Sequence, residues 1–371
     1  MSVHIPSAFE AIFYTFACAF TAPSFSNFVT LTTGWILCQG RHTISRALLA
    51  GGKAGRTKHH SAFYRFFSRA VWDPDTVGRI LLGLLLPLIP GAELVLIVDD
   101  TLCRHSGPHF WGAGAHYDPL RSTYGRGTVA RWIAWAFGHD WVTLAVWIPF
   151  PWNPARGVAV PFLWRLYRGK KRCPPGEYRK RTDLARELLG IAAAWLPADR
   201  KPILVADAEY ACKTVLRSLP EGMSFAGPLP MEAALYDFPL RQPRRGRRRQ
   251  KGMRLPTPRR IAEAPDVRWR KDTIRIYGRE VPVKIKTFTA LWPSVCGKRP
   301  IQVVLTQDPR GRLEDRAYFS TDVNRNWDQV LTAFSRRWAL EVTFRDAKQG
   351  LGLEDPQNGW GRRPAGPTRF G

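Results

Sequence analysis

The sequence predicts an α/β protein: a mixed sheet preceded by a helical region and interrupted, before its last helix, by a mostly β insertion. Three observations carry this. The runs ELVLIVDD (93–100) and ILVAD (203–207) are short, apolar, rich in β-branched residues and end in aspartate, as strands buried on both faces do. Between them PPGEYRKRTDLARELLGIAAAWLP (174–197) has helical apolar spacing and proline at both ends. From 222 to 326 the runs TIRIYG, VPVKIKTF and IQVVLTQD alternate within text rich in proline and arginine, which reads as β.

Taken in order, residues 1–90 read as short helices. LTTGWILCQGRHTISRALLAGG (31–52) sets Trp35, Leu37, Ile44, Leu48 and Leu49 at helical spacing and stops at Gly-Gly. SAFYRFFSRAVWDPDTV follows, with Ser61 as the expected N-cap and Phe63, Phe66, Phe67 and Ala70 on one face. A basic region of helix-turn-helix character that binds DNA and a plain bundle packed on the next domain are both open readings. TVARWIAWAFGHDWVTLAVWIPF (128–150) gives two apolar runs around GHD (138–140), a hairpin signature. RKPILVADAEYACKTVLRSLP carries the second strand into a helix. Strand, hairpin, helix, strand, helix is the order of a ribonuclease H-like mixed sheet. The expected division is a helical region at 1–90, the first part of the core at 91–221, the β insertion at 222–326, the last core helix at 327–358 and an irregular tail at 359–371.

Lys and Arg number 56 against 30 Asp and Glu, a formal charge of +26. Such an excess, spread over the whole chain, favours a polyanionic partner, and nucleic acid over a membrane surface. RQPRRGRRRQKGMR (241–254) holds eight cations and no acid. Arg244, Arg245, Arg247, Arg248 and Arg249 are its candidate phosphate contacts, a solvated basic loop being the alternative. No apolar run reaches the ~18–20 residues of a membrane span. AIFYTFACAF (11–20) adjoins Glu10 and lacks a basic leader, which argues against a signal peptide. The six cysteines form no CxxC pair, so neither a zinc ribbon nor a disulfide framework is expected, and a reducing cytoplasm fits. Cys103, His105, His109 and His116 match no standard zinc spacing.

Chemistry points to carboxylates. Asp99 or Asp100 is expected to end the first strand and Asp207 the second, and in open α/β sheets functional groups collect beyond the carboxyl ends of strands. Two carboxylates side by side repel unless a cation lies between them, and hard oxygen ligands suit Mg²⁺ or Mn²⁺. Each aspartate alone could as well cap the following turn. FSRRWALEVTFRDAKQGLG (334–352) reads as a single helix. At ~100° per residue, Arg337, Glu341, Arg345 and Lys348 share an arc of roughly 80°. A carboxylate among cations stays ionised and able to ligate metal, and the leftover cations would meet phosphate. The plainer reading is an i,i+4 pair of Arg337 and Glu341 worth ~0.3–0.5 kcal/mol.

Together these pieces resemble a known group. Phe334-x2-Arg337-x3-Glu341-x6-Lys348 resembles the Tyr-x2-Arg-x3-Glu-x6-Lys signature of bacterial insertion-sequence transposases of the DDE class, with Phe for Tyr. VDDTLCRHSG and LVADAEY resemble the two aspartate segments of its branch related to insertion-sequence families four and 701, and the likeness runs from about 30 to 358. The resemblance implies a metal-binding catalytic triad of Asp99, Asp207 and Glu341, with Asp99 preferred over Asp100 by an Asp-x-Thr pattern. It implies Arg337 and Lys348 on DNA phosphates, and a pair of Mg²⁺ or Mn²⁺ ions. The implied activity is hydrolysis at element ends followed by transfer of the 3′-hydroxyl into target duplex DNA. A homodimer on paired ends, in the bacterial cytoplasm and on the nucleoid, goes with it. Phe334 lacks the usual hydroxyl. Trp269 and Trp292 lie where related enzymes receive a flipped base, although a core role is the better reading for each. After EDPQNG the chain turns into WGRRPAGPTRFG, where the family continues with further helices. A C-terminally shortened relative is therefore expected, and a DNA-binding remnant or inhibitor that does not cut is the alternative.

Overall fold

The computed structural model describes residues 6–105, 110–117, 123–124, 131–132, 134–239, 250–266, 268–276, 279–311 and 314–355. Helices come first: α1 (Ser7–Thr15), α2 (Ala22–Leu37), α3 (Ile44–Ala50), α4 (His60–Ser68) and α5 (Pro74–Leu85). Leu31, Leu48, Phe63 and Phe66 of α2 to α4 close a small core of their own. Asp73 caps α5, its carboxylate accepting from the N–H groups of Asp75 and Thr76 at 3.2 and 2.9 Å, with Pro74 as the first helical residue.

The sheet and its covering helices follow. In chain order they are β1 (Glu93–Arg104), β2 (Gly114–Tyr117), β3 (Thr123–Tyr124), β4 (Arg131–Trp132), β5 (Trp135–Phe150), β6 (Asn153–Tyr167), α6 (Arg181–Ala193), β7 (Lys201–Val205), α7 (Lys213–Leu216) and β8 (Ser224–Leu229). Then come α8 (Pro258–Glu263), β9 (Arg270–Ile276), β10 (Arg279–Leu291), α9 (Pro293–Cys296), β11 (Pro300–Gln307), β12 (Arg316–Ser320), α10 (Trp327–Ser335) and α11 (Trp338–Gly350). Among the described residues ten strands form one sheet in the order β2-β5-β1-β7-β8-β12-β11-β10-β9, with β6 sharing the β2 edge of β5. β6, β5 and β1 run antiparallel, whereas β1, β7 and β8 run parallel. This is the ribonuclease H-like α/β fold. The strands β9 to β12 do not form a separate sheet; they extend the same one antiparallel from β8.

Helices cover both faces, which is why β1 is buried almost throughout. Leu94, Leu96 and Val98 pack with Leu184 and Leu188 of α6 and Val215 of α7. Val95 and Ile97, pointing the other way, pack with Val330 and Leu331 of α10 and Leu340 of α11. A buried ion triad adds a clamp, since Arg165 of β6 donates to Asp75 of α5 at 2.6 and 2.8 Å and to Glu187 of α6 at 2.6 Å. The N-terminal helices reach the far end of α11: the Trp35 indole donates to the Leu351 carbonyl at 2.9 Å, and the His42 N–H to the Asp355 carboxylate at 2.6 Å.

Four expectations are corrected. GHD is not a turn, because β5 runs straight through it and turns only after Phe150 into β6. Gly138 serves close approach instead: a Cβ there would lie 2.1 Å from the Cys103 carbonyl oxygen. β1 does not end at Asp99 or Asp100 but continues to Arg104, because β5 goes on pairing with it as far as Gly138. The segment 334–352 is two helices, joined by i to i−3 bonds from Arg336, Arg337, Ala339 and Leu340 that tighten the helical path. Finally, the N-cap of α4 is His59 rather than Ser61, its ring nitrogen accepting from the Ser61 N–H.

Candidate active site

A crevice opens where β7 leaves β1. The parallel ladder pairs Glu93 with Lys201 and Ile97 with Val205, then stops. Carried two residues further, the same register sets Asp99 beside Asp207. Beyond that point β1 has no parallel neighbour, while Asp207 begins a turn in which its Oδ1 accepts from the N–H groups of Glu209 and Tyr210 at 2.9 and 3.4 Å.

Strand alternation separates the two consecutive aspartates. Asp99 shares the face of α10 and α11 and is only 9% exposed. Its Oδ1 accepts from the Asp100 N–H at 2.9 Å and its Oδ2 from Arg337 at 2.7 Å. The other arm of the same guanidinium donates to Glu341 of α11. The tightened joint between α10 and α11 aims neighbouring side chains apart: Arg336 pairs with Glu93 at 2.7 Å over the Trp147 ring, and Arg337 turns to the carboxylates.

Electrostatics bind the three acids into one group. Burial works against the charge of Arg337, but Asp99, Glu341 and Asp207 together hold its pKa above the ordinary value. Burial pushes the Asp99 carboxyl up to about 7, with Asp100 and Asp207 adding to the push and Arg337 opposing it. One guanidinium thus serves three carboxylates. That deficit of positive charge, and the hard oxygen donors, fit a divalent cation. Among the described residues no three His, Cys, Asp or Glu side chains stand close enough to enclose one ion.

The remaining expected contacts fall as follows. Lys348 donates to the Leu102 carbonyl of β1 at 2.7 Å and lies 3.6 Å from Glu354. Arg345 is exposed and pairs with Asp346. Phe334 packs its ring against Tyr318 at 5.1 Å, an apolar use of the position. Arg244, Arg245, Arg247, Arg248 and Arg249 lie outside the described residues, as does His109. Trp292 is buried edge-on against Phe319, and Trp269 packs on the same core. Cys103 is buried on β1, and burial raises its thiol to about 12.

Sequence reasoning missed the polar cluster behind the crevice. On the α6 face Asp100 accepts from the Tyr210 hydroxyl at 3.1 Å and lies 3.6 Å from Arg181. Arg181, the first residue of α6, donates to the buried Asp140 of β5 at 2.7 Å and stacks over the Tyr167 ring at 4.5 Å. Asp140 sat inside the supposed turn and Arg181 inside a run of cations, so neither stood out. Burial raises the carboxyl of Asp100, Arg181 opposing.

No curated protein matches the chain. The family described as DDE superfamily endonuclease matches residues 15–281, a span that takes in Asp99 and Asp207 and stops short of Glu341. With most of its length matched, and its two matched acids side by side at the β1–β7 opening of a ribonuclease H-like sheet, the chain belongs to the DDE superfamily endonuclease family.

Proposed function

We propose that the protein is an insertion-sequence transposase, of the branch carrying the Arg-x3-Glu-x6-Lys pattern, which cuts phosphodiester bonds at element ends and passes the 3′-hydroxyl to target duplex DNA. The observation that carries the reading is the gathering of Asp99, Asp207 and Glu341, from two strands and a helix, around the single guanidinium of Arg337. Those three carboxylates would hold a pair of Mg²⁺ or Mn²⁺ ions, whose chemistry there would be Lewis-acid neutralisation of the attacking and leaving oxygens. Arg337 contributes the chain's own positive charge among the acids. Released from Asp99 and Glu341, its planar fork is suited to pair with a DNA phosphate. Arg345, exposed one turn beyond Glu341, extends this contact, and Lys348 holds α11 against β1 beside it. The helical region 1–90 and the basic insertion 222–326 supply further contacts to duplex DNA, in a homodimer on paired ends.

The test is cleavage of duplex DNA bearing the ends of the element that flanks the gene, with Mg²⁺, Mn²⁺ or EDTA, beside Asp207→Asn. Metal-dependent nicking at the ends, lost in the variant, is expected. Salt-sensitive binding without cleavage would overturn the reading in favour of a DNA-binding relative that does not cut.

A further inference from the structure

Nothing in the β1–β7 ladder holds Asp207 against Asp99. The last ladder pair is Ile97 with Val205, and Asp207 stands in the turn beyond it. Two groups that act together need a fixed spacing, so a tie between the turn and β1 has to come from elsewhere.

We propose that Tyr210 is that tie: a positioning residue whose backbone holds the Asp207 carboxylate and whose hydroxyl fastens the turn to β1 next to Asp99. This rests on the reading of Asp99 and Asp207 as metal ligands. The Tyr210 N–H donates to Asp207 Oδ1 at 3.4 Å, and the Tyr210 hydroxyl donates to Asp100 Oδ1 at 3.1 Å. One residue therefore touches the second aspartate and the immediate neighbour of the first. Its side chain is 0% exposed within the core that α6 and α7 cover. Phenylalanine would fill that space equally well, so the hydroxyl is accounted for by the bond it makes.

The far side of the tie is itself anchored. Asp100 faces Arg181 at 3.6 Å, and Arg181 is bonded to Asp140 of β5, whose backbone pairs with Leu102 of β1. A chain of contacts thus runs from α6 through Arg181, Asp100 and Tyr210 to Asp207. Up to Asp207 its side chains lie on the α6 face of the sheet, opposite Glu341 and Arg337, so it supports the acids from behind. Outer partners of metal ligands set ligand orientation in this way, and losing one weakens metal binding by about 10–100-fold.

The experiment uses the full chain without DNA and titrates Mn²⁺ by electron paramagnetic resonance, for the wild type, Tyr210→Phe and Asp207→Asn, with a thermal melt of each in EDTA. The Phe variant changes no charge. The expected result is a Kd for Mn²⁺ raised about tenfold in Tyr210→Phe while its fold remains intact at the titration temperature. An Mn²⁺ affinity within twofold of wild type in that variant overturns the proposal, and so does a weakening seen only where the variant has begun to melt. Failure of the underlying reading looks different: the wild type binds no Mn²⁺, or Asp207→Asn binds it as well as wild type, and both ideas then fall together.

Discussion

At Asp99 burial and charge pull in opposite directions, and the balance sets a pH dependence. Burial, helped by Asp100 and Asp207, lifts its carboxyl from the ordinary 3.8 to about 7 in spite of the bond from Arg337. Between those two values the folded chain holds a proton that the unfolded chain has lost. Stability without metal therefore falls as pH rises from about 4 to about 7, then levels off. At about 1.4 kcal/mol per pKa unit the loss approaches about 4 kcal/mol for a shift of this size. Asp99→Asn carries no titrating group and should flatten that slope, leaving the variant more stable than wild type at pH 8 in EDTA. Urea unfolding at pH 5 and pH 8 measures it, and an unchanged slope in the variant would show that other groups set the dependence. On the proposed reading a divalent cation would offset this penalty by stabilising the ionised Asp99 carboxylate.

Individual elements show where a linear text stops being informative. Gly138 in GHD looks like turn punctuation, yet it lies mid-strand in β5 with the Cys103 carbonyl where its Cβ would be. Gly138→Ala should force β1 and β5 apart beside Cys103 and Arg104, costing about 2–3 kcal/mol, the upper part of the range for overpacking. A urea midpoint equal to wild type would mean the strands tolerate the methyl. Glycine for a turn and glycine for close approach are the same letter, and only the paired strand tells them apart. The buried strands, by contrast, were legible, because β1 and β7 are covered on both faces and so read as unbroken apolar runs. The Arg337–Glu341 spacing was legible too, since i,i+4 neighbours meet whether or not the helix breaks nearby. The break itself was not: local helical spacing is nearly the same on both sides of it, and the partners of Arg336 and Arg337, Glu93 and Asp99, lie far away in the chain. Arg181 and Asp140 were hidden for the same reason, their meaning residing in a contact between α6 and β5.

Over the whole molecule, a pit of carboxylates sits in a chain with a formal charge of +26. On the proposed reading, duplex DNA is drawn by the chain's excess of positive charge and repelled by the acids until cations neutralise them, so binding and cutting are separable by metal. Most of the attraction should then be counterion release, with log K falling linearly in log salt by about 0.9 per phosphate neutralised. The densest source of charge is the run from 241 to 254. If Arg244, Arg245, Arg247, Arg248 and Arg249 each meet a phosphate, replacing all five by Gln flattens the salt slope by about 4–5, while a loop that stays in solvent leaves it nearly unchanged. Fluorescence anisotropy of a labelled duplex in EDTA, over 50–300 mM salt, reads the slope without interference from cleavage, and the working range is set by the steep salt dependence itself. Mn²⁺ affinity should not move in that variant if the loop and the crevice are separate devices. A slope that stays the same would assign the attraction to other basic parts of the chain.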